Sequence, residues 1–232
     1  MVAALGRRAL SVQFRRAQLL MPTFVLPLML LAVIASGTSA AQGLRGFPEV
    51  TSYLGFVVPG TIIQGTLLAG LTTGIAFAGD IEGGFFDRLL AALQVSFFLA
   101  VAAIFGARYP GGLGGLAATV ILGALTAVGI GGIASAIALR TGSLSLLQSI
   151  FPFVFVLLFT APAFFPQELL TPVLRDASVY NPLTYIVEGV RALLAGDPAL
   201  GNAWAGFAAA GGLAVAMTLL ATLALKERLR TQ

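Results

Sequence analysis

The sequence predicts an all-α polytopic membrane protein, with six transmembrane helices and a re-entrant helical pair between the fifth and the sixth. The first observation is composition: hydrophobic residues make up 58% of the 232 and charged residues only 9%, for a mean hydropathy of +0.98. The second is a series of long apolar stretches, separated by short segments that hold the charges. We therefore expect one membrane domain over residues 1–232.

The apolar stretches have the length of bilayer spans. A helix that crosses about 30 Å of hydrocarbon needs roughly 20 apolar residues at 1.5 Å each. Five stretches reach that length without an internal charge, namely residues 17–40, 54–79, 113–139, 144–165 and 204–225. A sixth, residues 89–106, would reach only about 27 Å as a helix and is the shortest predicted span.

Charge bias orients the spans. With a cytoplasmic N-terminus, nine of the 13 Lys and Arg residues lie inside and four outside, as the positive-inside rule asks; the four are Arg45, Arg108, Arg175 and Arg191. An alternative is that the first stretch is a signal peptide cleaved at Thr38-Ser-Ala40. Its apolar run is longer than the roughly 7 to 15 residues typical of a signal, which favours an uncleaved span.

Missing residue types exclude several functions. The chain has no His and no Cys, which removes imidazole and thiolate metal sites, Ser/His and Cys/His nucleophilic pairs and disulfides. Its only lysine is Lys226, so no Gly-rich segment runs into the Gly-Lys-Ser/Thr that a P-loop needs. We expect a chain that is not itself an enzyme, and any ATP that it uses must be bound by another chain.

Small residues four apart form two stripes within the predicted spans. Such stripes mark helix faces where backbones approach closely. They comprise Thr66, Gly70, Gly74 and Ala78 in one span, and Gly123, Ala127, Gly131 and Ser135 in another. We expect them to pack helices together; the alternative is that these faces slide or separate in a conformational cycle.

The middles of the spans hold few polar groups and no ionisable ones. Proton-coupled carriers usually need an ionisable relay at that depth, so proton coupling is not expected. A polar Gln64 and the ring-rich fifth span, with Phe151, Phe155 and Phe159, are candidates to line an apolar route. The alternative is that these rings face lipid.

The densest charge lies in residues 80–90, between the second and third spans. Asp80, Glu82, Asp87 and Arg88 occur there in a chain that is otherwise apolar. We expect this water-exposed loop to be gripped by a partner outside the membrane. The alternative is that the charges mark the membrane boundary and pair with one another.

Residues 166–196, after the fifth span, are too polar to cross the bilayer and too apolar for a free loop. Pro166 and Pro172 break the segment, and Asn181-Pro182 predicts a turn followed by a short helix that ends near Gly196. Such a segment lies in the interface or re-enters the bilayer partway. Glu188 and Arg191 are three apart on this helix, so they share a face and can pair.

Three separated motifs carry a family resemblance. They are Gly84-Phe-Phe-Asp-Arg-Leu-Leu-Ala91, Phe165-Pro166 with Pro172 and Leu174-Arg175, and Asn181-Pro-Leu-Thr-Tyr-Ile-Val-Glu188 with Arg191 and Gly196. In these motifs and their order relative to the spans, the chain resembles the permease subunits of type 2 ABC exporters, most closely the daunorubicin-resistance-like drug exporters.

The resemblance implies a six-helix half-transporter in the bacterial cytoplasmic membrane, with both termini cytoplasmic. It implies dimerisation with a second permease copy or paralogue, and two ABC ATPase subunits that bind ATP and Mg, while this chain holds no cofactor or metal. The expected activity is export of a hydrophobic drug-like or lipid-like compound, as in multidrug efflux and antibiotic resistance. Membrane lipid is a further expected partner, and nucleic acid is not.

The resemblance also maps functional segments onto the chain. The ATPase-coupling helix falls on residues 80–90, with contacts from Asp80, Glu82, Phe85, Phe86, Asp87 and Arg88. The outer re-entrant pair falls on residues 166–196, with Pro166, Pro172, Arg175, Asn181, Pro182, Glu188 and Arg191.

One departure from the family pattern keeps other functions open. Arg88-Leu-Leu-Ala-Ala-Leu-Gln94 passes directly into the third apolar run. Compared with the family pattern and with the length that a bilayer span demands, about 20 residues are absent here. The apparent gap leaves open a non-transporting membrane scaffold or inactive paralogue. The resemblance itself also leaves open a permease for glycans or lipid-linked polymers, which related permeases export with the same topology.

Overall fold

The computed structural model describes residues 17–37, 43, 47, 53–77, 84–141, 143–196 and 201–230. Within these ranges all regular structure is helical, as predicted. The eight α-helices are α1 (Ala17–Gly37), α2 (Tyr53–Phe77), α3 (Gly84–Ile104), α4 (Gly112–Thr141), α5 (Leu144–Thr160), α6 (Pro172–Tyr180), α7 (Pro182–Ala195) and α8 (Gly201–Arg230). A 3-10 turn, Gln167–Leu169, precedes α6.

Three of these helices are long and apolar enough to cross a membrane, judged over the part of the chain that the structure describes. They are Tyr53–Leu71 within α2, Gly112–Thr141, and Gly201–Arg228 within α8. Shorter apolar helical stretches occupy Phe24–Ser36 and Ala91–Ile104. A count of six spans remains a prediction.

The third apolar helix begins earlier than expected. The predicted span was 89–106, whereas α3 begins at Gly84 and has 21 residues, a length of about 32 Å. No Gly or Pro follows Gly84 until Gly106, so nothing in the sequence interrupts the helix. Residues 84–90, predicted as part of a loop, are therefore its first two turns.

The fifth helix ends earlier than expected. The predicted span was 144–165, but α5 stops at Thr160 and Ala161 is extended, with ψ 153°. The cause is Pro162, because the residue before a proline is pushed out of the helical region.

Helix α2 is the centre of the bundle, since residues 56–71 are all buried. The predicted small-residue stripes meet where α2 packs on α4. A Cβ added at Gly70 would lie 3.0 Å from the Ala127 carbonyl oxygen, and one added at Gly123 would lie 3.4 Å from Thr66. This confirms close packing between the two stripes at these positions and shows that α2 and α4 run in the same direction.

Helices α4 and α8 also run in the same direction. The backbone of Gly129 lies against Leu213, that of Gly132 against Met217, and the Arg140 guanidinium pairs with Glu227 at 3.1 Å. We call the end of the bundle where α2, α4 and α8 begin the capped end, because α6, α7 and residues 105–111 lie there. The Arg140–Glu227 pair marks the opposite end.

Candidate functional site

Helix α7 is defined by local signals at both ends, and the sequence prediction of this helix is confirmed. At its start, the Asn181 side-chain oxygen accepts a hydrogen bond from the Leu183 amide at 2.9 Å, and Pro182 occupies the first helical position. At its end, Gly196 adopts the left-handed conformation with φ +71°, which glycine reaches without strain.

Asn181 also ties α7 to the end of α5. Its side-chain amide donates to the Leu157 carbonyl at 2.6 Å and to the Thr160 hydroxyl at 2.9 Å. One buried side chain therefore caps α7 with its oxygen and holds α5 with its nitrogen. Asn181 is only 5% exposed, so loss of these partners would leave its buried amide nitrogen unpaired.

Arg191 joins three parts of the chain. Its guanidinium forms the predicted ion pair with Glu188 and donates to the carbonyl oxygens of Pro162 at 3.0 Å and Phe56 at 3.4 Å. Its central carbon lies 4.0 Å from the centre of the Phe56 ring, which is cation–π geometry. We call Arg191 with Glu188, Phe56 and Pro162 the Arg191 clamp.

A cavity of about 390 Å³ lies beside the clamp at the capped end. Its wall combines two aromatic rings, two carboxylates, a guanidinium and several amide and hydroxyl groups. The lining residues are Phe56, Pro166, Gln167, Glu168, Thr184, Tyr185, Glu188, Arg191, Asn202 and Ala205. Most of these lining residues are polar or charged, unlike the predominantly apolar lining of most small-molecule sites.

The residues predicted for the 166–196 segment lie together. Pro166 is buried in the pocket wall and precedes the 3-10 turn, while Pro172 begins α6. Arg175 donates to the main-chain oxygens of Gln167 and Glu168, at 3.2 and 2.8 Å, and so fixes that turn against α6. The structure thus brings Pro166, Glu188 and Arg191 to one pocket and gives Pro172 and Arg175 supporting positions.

The residues predicted to couple to an ATPase lie far from this pocket. Phe85, Phe86, Asp87 and Arg88 are in the first turns of α3, which starts at the end of the bundle opposite the capped end. Asp80 and Glu82 lie outside the described residues.

In the described part of the chain, the pocket wall contains none of the residues predicted for a substrate path. Gln64 is 1% exposed inside the bundle, and its side-chain oxygen has no hydrogen-bond partner among the described residues. The Phe159 side chain is 51% exposed, and its ring lies between those of Phe155 and Phe164 in tilted geometry, with ring centres 6.4 and 5.6 Å away. Phe151 lies in α5, on the same helix as Phe155 and Phe159.

Sequence reasoning missed most of the pocket wall. Phe56 lines the pocket, and its main-chain oxygen and that of Pro162, outside the pocket wall, accept hydrogen bonds from Arg191. A sequence gives no signal for such main-chain partners. Glu168 is one of only nine acidic residues and lies two positions after Pro166, and that rarity was the available clue.

Comparison with known proteins finds similarity over the part of the chain that holds the three motifs. Residues 85–195 match the family model of the ABC-2 type transporter. Over 213 residues, 82% of this chain and 72% of the relative, the chain is 26% identical to the protein named "Putative transport permease ycf38" from Porphyra purpurea. Together with the apolar helices, these similarities indicate a multi-pass membrane protein that resembles ABC-2 type transporters over residues 85–195.

Proposed function

We propose that this chain is the permease subunit of an ATP-driven ABC exporter of the daunorubicin-resistance-like kind. It would move a hydrophobic drug-like or lipid-like compound out across the cytoplasmic membrane. The observation that carries the proposal is the match of residues 85–195 to the ABC-2 type transporter, because that range includes Asp87, Arg88 and most of the pocket wall.

The helix directions support a six-span topology within this proposal. In a chain of six spans the second, fourth and sixth cross in the same direction, as α2, α4 and α8 do. The α6–α7 pair then lies between the fifth and sixth spans, at the outer end when both termini are cytoplasmic. Its short helices, of 9 and 14 residues, suit a re-entrant segment better than a crossing one.

The two ends of α3 support a route for coupling. Its first turns carry Asp87 and Arg88, and its last residue, Ile104, leads into the residues 105–111 at the capped end. A continuous helix transmits displacement along its axis, so an ATPase that binds the charged end would move both ends of α3. Two ATPase subunits, binding ATP and Mg, and a second permease complete the proposed transporter.

The experiment is co-purification of the solubilised chain with its candidate ATPase, followed by measurement of ATP turnover. We expect Asp87→Ala and Arg88→Ala to weaken association or lower turnover, because they remove the charges that would face the partner. Asp176→Ala, an exposed carboxylate on α6, is the matched control and should leave both unchanged. A complex that is equally active in all variants would remove the coupling assignment, and failure to form any complex would contradict the permease function.

A further inference from the structure

Helix α7 is held on one side by close backbone contact. A Cβ added at Gly111 or Gly115 would lie 2.0 or 2.2 Å from the Leu193 carbonyl oxygen, and one added at Gly189 would lie 3.0 Å from the Cα of Gly206 in α8. Such contacts extend over the C-terminal half of α7 and leave no space between α7 and the starts of α4 and α8. This side of α7 has little room to move.

The opposite side of α7 meets α2 through the Arg191 clamp. Arg191 reaches Phe56, 135 residues away, and Pro162, 29 residues away, so one side chain connects α7 to the start of α2 and to the residue that ends α5. Thr184, Glu188 and Arg191 share one face of α7, at spacings of four and three. The cavity lies on that face, between α7 and Phe56.

We propose that the Arg191 clamp is a latch that holds α7 against α2, and that its release lets the α2-facing side of α7 turn away from Phe56, about the fixed contacts with α4 and α8, and widens the cavity. Glu188 positions the guanidinium, and the two carbonyl oxygens and the Phe56 ring receive it. The role of this opening in export depends on the function proposed above, but the latch itself does not.

The chain offers a direct test, because it contains no cysteine. Thr184 is 4% exposed on the cavity wall, so a Thr184→Cys thiol reports whether the cavity opens. We would measure its labelling rate by a water-soluble maleimide in the purified full chain, without any ATPase. Arg191→Met should raise the rate about tenfold, since removing a charge-assisted hydrogen bond changes an equilibrium by roughly that factor. Arg191→Lys, which keeps the charge but not the planar fork, should raise it about threefold.

Two controls separate latch release from general loosening. An Ala195→Cys thiol, exposed at the end of α7, should label at the same rate with or without the Arg191 substitution. Arg140→Met breaks the ion pair at the opposite end and should leave the Thr184→Cys rate unchanged. An unchanged Thr184→Cys rate in both Arg191 variants, or an equal rise with Arg140→Met, would overturn the proposal. If Arg191→Met does not fold, the Arg191→Lys comparison decides alone.

Because no ATPase is present, this result is independent of the permease function. A Thr184→Cys rate that rises in the Arg191 variants, in a chain that forms no complex with the ATPase, would support the latch and contradict the permease function. A complex with loop-dependent ATP turnover, in which the Arg191 variants leave the Thr184→Cys rate unchanged, would support the permease function and overturn the latch.

Discussion

The closest contact between α4 and α7 provides a stability prediction with an internal control. Gly114 and Gly115 are adjacent in the first turn of α4, but only Gly115 faces α7. A Cβ at Gly115 would lie 2.2 Å from the Leu193 oxygen, against the 3.0 Å below which real contacts essentially never fall. Gly115→Ala therefore requires α4 and α7 to separate by about 0.8 Å, whereas a Cβ at Gly114 meets nothing within 4 Å.

The magnitude follows from that displacement. Overpacking of this kind costs about 1–3 kcal/mol, and both substitutions gain about 0.5–1 kcal/mol from replacing a helical glycine. We expect Gly115→Ala to be less stable than Gly114→Ala by about 2 kcal/mol, a difference in which the common gain cancels. Thermal unfolding of the two purified variants in the same detergent measures it. A Gly115→Ala protein as stable as Gly114→Ala would refute the close approach of α7 to α4.

Three further predictions concern other single contacts. Asn181→Ala should lower stability by about 1–3 kcal/mol, because the helix cap and the bond to Leu157 are lost together; Asn181→Ser, which keeps an oxygen that can cap the helix, should lose less in the same thermal assay. Arg140→Met should change stability by less than about 1 kcal/mol, since its partner Glu227 is exposed, and a loss larger than that of Asn181→Ala would contradict this. Burial raises the pKa of Tyr109 to about 12, so its folded-state proton is held while the unfolded chain ionises near pH 10. Stability should thus fall between about pH 10 and 12, and Tyr109→Phe should fall less; equal pH profiles would contradict the shift.

Short-range sequence signals predicted helix α7 and the ion pair on it. Asn181-Pro182 and Gly196 marked the two ends of α7, and the spacing of three predicted the Glu188–Arg191 ion pair. These predictions succeeded because capping and side-chain pairing within a helix depend on residues only a few positions apart.

Contacts between distant residues were not predictable in the same way. Arg191 donates to main-chain oxygens of Phe56 and Pro162, which every residue carries, and the Phe56 ring is one of 17 phenylalanines, so nothing in the sequence distinguishes these partners. The start of α3 was missed for another reason. The charges of Asp87 and Arg88 indicated a loop, whereas helix propensity and the absence of breakers allowed these residues to extend the apolar helix.

The most direct test asks whether an ATPase bound at the start of α3 changes the cavity at the capped end. The labelling rate of the Thr184→Cys thiol would be measured in the complex with the ATPase, with and without ATP and Mg. We predict that ATP raises the rate in the otherwise unchanged complex and has no effect when Asp87→Ala is added, because the charged start of α3 then no longer transmits the ATPase movement. A rate that ATP leaves unchanged while the complex hydrolyses it would contradict the coupling of the cavity to the ATPase.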